Sequence, residues 1–166
     1  MKEQNLKQLY IEQLKDLYSA EGQLVQALPK MAKAASSPSL QKAITSHLEE
    51  TKGHRDTVGG LFENLDASPR GKKCKAMEGL IEEGAEVIKE HDEGPLRDAA
   101  LIAAAQRVEH YEIASYGTAC EFAQLLGHDT DYTALSRILD QEKAADEKLN
   151  KIATSEVNQA ANTVAA

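Results

Sequence analysis

The residues best suited to chemistry are Glu109 and Glu112, a Glu-x-x-Glu pair within Val108-Glu109-His110-Tyr111-Glu112-Ile113-Ala114-Ser115-Tyr116. The run from Leu96 to Leu126 is rich in alanine and holds no breaker except Gly117, so it reads as one long helix. Steps of four and three along it give Ile102, Ala105, Glu109, Glu112, Tyr116, Ala119, Ala123 and Leu126. That stripe is the seam a helix turns toward its partners in a bundle. Two carboxylates therefore stand where apolar residues belong. Unpaired acids are costly to bury, so either this face is wet or a cation sits opposite.

The same stepping finds acids in three more helical stretches. The first, Leu6 to Ala34, has the seam Tyr10, Leu14, Leu17, Glu21, Leu24, Leu28 and Met31, with Pro29 as a point for a kink or an early end. The second, from Pro38 to about Leu65, carries Leu40, Ile44, His47, Thr51, His54, Val58 and Leu61, with Glu50 beside them. The last, Tyr132 to Ile152, carries Leu135, Leu139, Glu142, Asp146, Leu149 and Ala153. A shorter amphipathic helix, Lys75 to Glu90, lies in the connection between the two hairpins. The tail from Ser155 is small and polar and is expected to fray. Short turns and one long crossover make this a single all-α domain over 1–166, an up-down four-helix bundle of ferritin-like connectivity with an extra short helix in the crossover.

Counting from the turns sets the levels. From Ser36, Glu21 is fifteen residues back and Glu50 fourteen forward; from His128, Glu112 and Glu109 are sixteen and nineteen back, and Glu142 and Asp146 fourteen and eighteen forward. Residues equidistant from a tight hairpin turn share a height, because each helix rises about 1.5 Å per residue. Six carboxylates are thus expected in one layer. Lys15, Lys52, Lys143 and Arg107 project off the seams, so metal ions are the fitting counter-charge: two divalent ions carry four positive charges and two trivalent ions six. A carboxylate-rich donor set with one or two imidazoles suits iron or manganese. A single Glu on a seam is more often a solvated or salt-bridged acid; the coincidence of four helices is what favours metal. His47 and His54 lie one turn either side of Glu50, each a candidate ligand or a partner orienting a ligand carboxylate. His91, His110 and His128 lie off the seam or near helix ends and are expected to be solvated, and Tyr18 and Tyr116 read as packing and hydrogen-bonding residues.

Composition limits the alternatives. The chain of 166 residues has net charge -8, 4% aromatics and no Trp, and lacks a basic cluster, so nucleic acid is not an expected partner. No apolar run approaches the roughly 20 residues that span a bilayer. Met1 to Asn5 lacks the apolar core of a signal peptide. Cys74 and Cys120 have no metal-type spacing and read as reduced thiols of a cytoplasmic protein, the alternative being a secreted form with one disulfide.

The segments Asp16-Leu17-Tyr18-Ser19-Ala20-Glu21, His47-Leu48-Glu49-Glu50-Thr51, Lys75 to Glu83, Arg97 to Gln106, Val108 to Gly117 and Glu142-Lys143-Ala144-Ala145-Asp146 together resemble the YciF/YciE family of bacterial proteins. The resemblance spans nearly the whole chain. It implies a ferritin-like, rubrerythrin-like fold, a link to stress responses, and a cytoplasmic dimetal-binding bundle, commonly a homodimer. The wider di-iron pattern carries over onto Glu21, Glu50, Glu109, Glu112 and Glu142. A His one turn after the Glu is the usual direction of that motif, which favours His54; yet Gly53, not His, stands three after Glu50, and Ala145 three after Glu142. The expected ligand set is Glu21, Glu50, His54, Glu109, Glu112, Glu142 and Asp146 around two iron or manganese ions that react with dioxygen or peroxide. The alternative is a non-enzymatic stress protein whose metal is structural and which acts through partner proteins.

Overall fold

The computed structural model describes residues 5–164; Met1 to Gln4, read above as lacking a signal-peptide core, lie outside them. The helices are α1 Leu6–Ala34, α2 Pro38–Leu61, α3 Lys75–Glu90, α4 Pro95–Leu125, α5 Asp129–Ile152 and the short α6 Asn158–Asn162. They start where capping chemistry directs. Asn5 accepts the Gln8 N–H at 2.9 Å, and Ser37 precedes Pro38 and accepts the Leu40 N–H at 3.3 Å. Helix α2 tightens into a 3-10 turn, Phe62–Leu65, and Asp66 in the left-handed region (φ 50°) ends it. The turn after α4 uses Gly127 at φ 73°, where an L side chain is disfavoured.

Helices α1 and α2 form one antiparallel hairpin and α4 and α5 the other. The long crossover carries α3 along the outside of α1 and α4. Each bundle helix is antiparallel to both of its neighbours, as the cross-links at the two ends show. Tyr10, near the start of α1, donates to Asp131 at 2.9 Å and stacks on His128 beside the α4–α5 turn. At the opposite end, Asp98 of α4 accepts the Ser36 and Ser37 N–H groups at 2.8 and 2.7 Å, and the Ser37 hydroxyl donates to Glu156 at 2.6 Å. This is the ferritin-like up-down four-helix bundle with a long crossover.

The apolar interior falls into two clusters. One gathers Leu24, Leu28, Leu40, Ile44, Leu101 and Leu149; the other gathers Tyr10, Leu14, Leu17, Val58, Phe62 and Leu135. The acid-bearing middle of the bundle separates them.

Helix α1 has the expected bounds and passes through Pro29 without ending there. Two expectations need correction. The chain does not fray from Ser155: Ala153–Val157 forms a π-helical turn that buries Ala153 and Val157 before α6 begins. His128 is not simply solvated, since its ring stacks on Tyr10 with centroids 5.8 Å apart. Among the described residues, no helix is long and apolar enough to cross a membrane.

Candidate metal centre

The buried seams converge at mid-height. Glu21 from α1, His47 and His54 from α2, Glu109 and Glu112 from α4, and Glu142 from α5 are all at most 7% exposed. They make two groups that share one residue: His47, Glu109, Glu112 and Glu142, and Glu21, His54 and Glu142. Within each group, one ligand atom per residue lies within 4.8 Å of the others.

The contacts inside the layer have the character of ligands aimed at a common point. His54 Nδ1 is 2.8 Å from Glu142 and 3.6 Å from Glu21; His47 Nε2 is 3.1 Å from Glu109 and 3.7 Å from Glu142. Yet Glu21 Oε2, His47 Nδ1 and Nε2, His54 Nδ1, Glu109 Oε2 and both carboxylate oxygens of Glu112 and Glu142 make no hydrogen bond, although buried. Natural proteins leave few such atoms. Donors set around an octahedral ion with bonds of about 2.1 Å stand roughly 3 Å apart, close to these spacings. The residues fit a metal.

The electrostatics agree. Burial, then the Glu142 charge, pushes the Glu21 carboxyl up to about 7. Burial and the neighbouring carboxylates hold Glu109 and Glu112 well above the ordinary carboxylate range. Burial would also raise Glu142, but the contact with His54 and the His47 field outweigh it and keep that carboxyl low. Burial would lower His54, and its contacts with Glu142 and the Glu21 charge reverse the direction. Without a cation the layer is satisfied only by taking up protons; a cation relieves it directly.

Surrounding residues fix the donors. The Tyr116 hydroxyl donates to Glu21 Oε1. Gln141 Oε1 lies 3.1 Å from His54 Nε2, a hydrogen bond when the proton sits there, which leaves the Nδ1 lone pair facing Glu21 and Glu142. Gln141 carries no signal in sequence other than its position beside Glu142. On the His47 side a pocket of about 150 Å³ reaches the layer from solvent between α2 and α5.

Residues 5–162 match the family described as a domain of unknown function, DUF892. The chain belongs to the DUF892 family. It is 45% identical to Protein YciF of Escherichia coli (strain K12) over 166 residues, covering 99% of this chain and all of that protein. The crystal structure of the E. coli stress protein YciF superposes with TM-score 0.90 at 46% identity, covering 96% of this chain and 99% of that one. A Rhodopseudomonas palustris protein described as a candidate structural protein, YcfI, superposes with TM-score 0.84 at 43% identity over 89% of this chain and 94% of its own. A Xanthomonas campestris protein at 23% identity and TM-score 0.71 shares the fold.

Two acids expected in the layer of this DUF892 chain are not in it. The Glu50 side chain is 42% exposed and lies 3.5 Å from His47 Nδ1, a contact that holds the carboxyl below its ordinary range. Asp146 turns toward His110 Nε2 at 3.2 Å and Gln106 at 3.3 Å. The buried stripe of α5 runs through Leu135, Ile138, Glu142 and Leu149, so Asp146 falls beside it and Leu139 is only partly buried. His47, left open between ligand and orienting partner, is buried against Glu109 and Glu142, slightly less deeply than His54 is against Glu142 and Glu21.

Proposed function

We propose that this protein holds two iron or manganese ions in the mid-bundle layer and acts on dioxygen or peroxide there. The observation that carries the reading is the pair of His/Glu groups joined through Glu142, whose buried donor atoms lack partners. Glu21, Glu109, Glu112 and Glu142 supply four negative charges, equal to two divalent ions with neutral imidazoles. His47, Glu109 and Glu112 would hold one ion, His54 and Glu21 the other, with Glu142 common to both. Bound iron or manganese supplies one-electron redox chemistry toward oxygen–oxygen bonds. Tyr116 keeps the Glu21 carboxylate oriented, Gln141 holds the His54 tautomer, and the flanking apolar clusters exclude bulk water. The stress link of the E. coli relative is in keeping with such chemistry.

A second reading is a metal strut without turnover, favoured by the description of the R. palustris relative and by the repulsion a cation would relieve. Metal analysis on protein produced in iron- and manganese-supplemented medium tests both. About two ions per chain, together with ferrous oxidation or peroxide consumption, supports the first. Two ions with a large rise in melting temperature and no turnover supports the second. Metal at background sinks both.

A further inference from the structure

The pocket beside His47 carries an inference that rests on the dimetal reading above and names its substrate class. Its volume, about 150 Å³, is that of an apolar cavity able to take a benzene-sized molecule. It opens where three helices carry alanine: Ala43 on α2, Ala105 on α4 and Ala145 on α5, the last on the inward side between Glu142 and Leu149. Leu28, Met31, Ile44 and Leu149 complete an apolar wall. The inner end is polar and buried: His47 and Glu109 line it at 7% and 3% exposure, with both His47 nitrogens and Glu109 Oε2 lacking a hydrogen-bond partner. Glu50, Gln141 and Lys148 stand among its polar lining.

Hydrogen peroxide has no carbon to cover this wall, whereas a molecule with a compact hydrocarbon body and one polar end matches it at both ends. We propose that the pocket seats the hydrocarbon part of an organic hydroperoxide and brings its oxygen–oxygen group to the His47–Glu109 edge of the layer. Each buried methylene adds about fourfold in affinity, so such a substrate outcompetes hydrogen peroxide by occupancy alone. Reduction of the hydroperoxide would take two electrons, which two ferrous ions held by the layer would supply on becoming ferric, and two protons from solvent. Its oxygen–oxygen bond breaks, and an alcohol and water leave. Ala145 sets the room available for the organic group.

The test has two arms. Cumyl alcohol, the unreactive product of cumene hydroperoxide, is titrated into metal-free protein while the Met31 methyl resonance is followed. A saturable shift, lost in Ala145→Leu or, should that variant not fold, in Ala43→Leu, is the expected result. Iron-loaded protein, its loading verified, is then mixed separately with equal concentrations of cumene hydroperoxide and hydrogen peroxide. Ferric formation is expected to be about tenfold faster with the organic peroxide and to lose that advantage in Ala145→Leu. Absence of a Met31 shift, or equal rates in a loaded sample, overturns this assignment and leaves the dimetal reading standing. Failure to load metal overturns the dimetal reading and the hydroperoxide assignment with it.

Discussion

The middle of the bundle and its two ends obey opposite rules. At the ends, Leu24, Leu28 and Leu149 on one side and Leu14, Leu17 and Leu135 on the other bury apolar surface and hold the helices together in any state of the site. In the middle, four acids and two imidazoles are buried just as deeply and leave donor atoms unmatched. The ends stabilise the fold. The middle costs stability unless a cation occupies it.

The contrast can be broken most completely at Glu142, the residue common to both groups. Glu142→Ala is expected to reduce metal content from about two ions per chain to background, and metal analysis reads this directly. Two retained ions would show that the layer is not organised around that carboxylate. Next in size is the end cluster: Leu14→Ala, at a side chain with no exposure, should cost about 2–5 kcal/mol in denaturant unfolding. That loss should be the same with and without metal.

The third effect is pH dependence of the metal-free protein. Glu21 is raised to about 7, and Glu109 and Glu112 are raised well above their ordinary range, chiefly by burial. A folded-state value above the unfolded one means that the folded chain holds more protons. The associated stability is present in full below about pH 4.5 and is lost as pH rises through the folded values. Melting temperature should therefore fall between about pH 5 and pH 8, with roughly 3 kcal/mol assignable to Glu21. Metal-loaded protein should show little slope over that window; equal slopes in both forms would mean that no cation replaces the protons.

Smaller effects sharpen the boundary of the layer. Glu50→Ala should weaken metal binding by about tenfold, because Glu50 touches the site only through His47. Asp146→Asn should leave metal content unchanged, since its partners are His110 and Gln106. A competition titration with a chelator ranks these two against wild type, and an Asp146 effect as large as that of Glu142 would redraw the site.

The sequence made the bundle largely legible because the four-and-three step of the seams is a property of helix geometry alone. It put Glu21, His47, His54, Glu109, Glu112 and Glu142 on inward faces, and counting from the turns put the four acids among them at one height. The step could not resolve one residue's rotation on α5. There Ile138 rather than Leu139 continues the stripe, and the same rotation carries Asp146 outward to His110. Glu50 was placed by level correctly but by direction wrongly, since a position beside a seam points to the helix edge, where solvent and His47 both compete for it. The pocket was not legible at all: it is the space left by Ala43, Ala105 and Ala145, and a void leaves no periodic signal. The ordered end of the chain was hidden by its polar composition, which conceals the inward position of Val157.

The tie among Asp98, Ser37 and Glu156 has a kinetic side. Its hydrogen bonds join residues 61 and 119 positions apart, whereas the contacts within each hairpin are far more local. Bringing distant segments together is entropically costly until much of the chain is ordered. Each hairpin can therefore zip independently, and the Ser37 knot closes only when both have docked with the end of α5 in place. Protection of the Ser37 amide against hydrogen exchange thus reports the assembled bundle, whereas protection within α2 reports only its own hairpin.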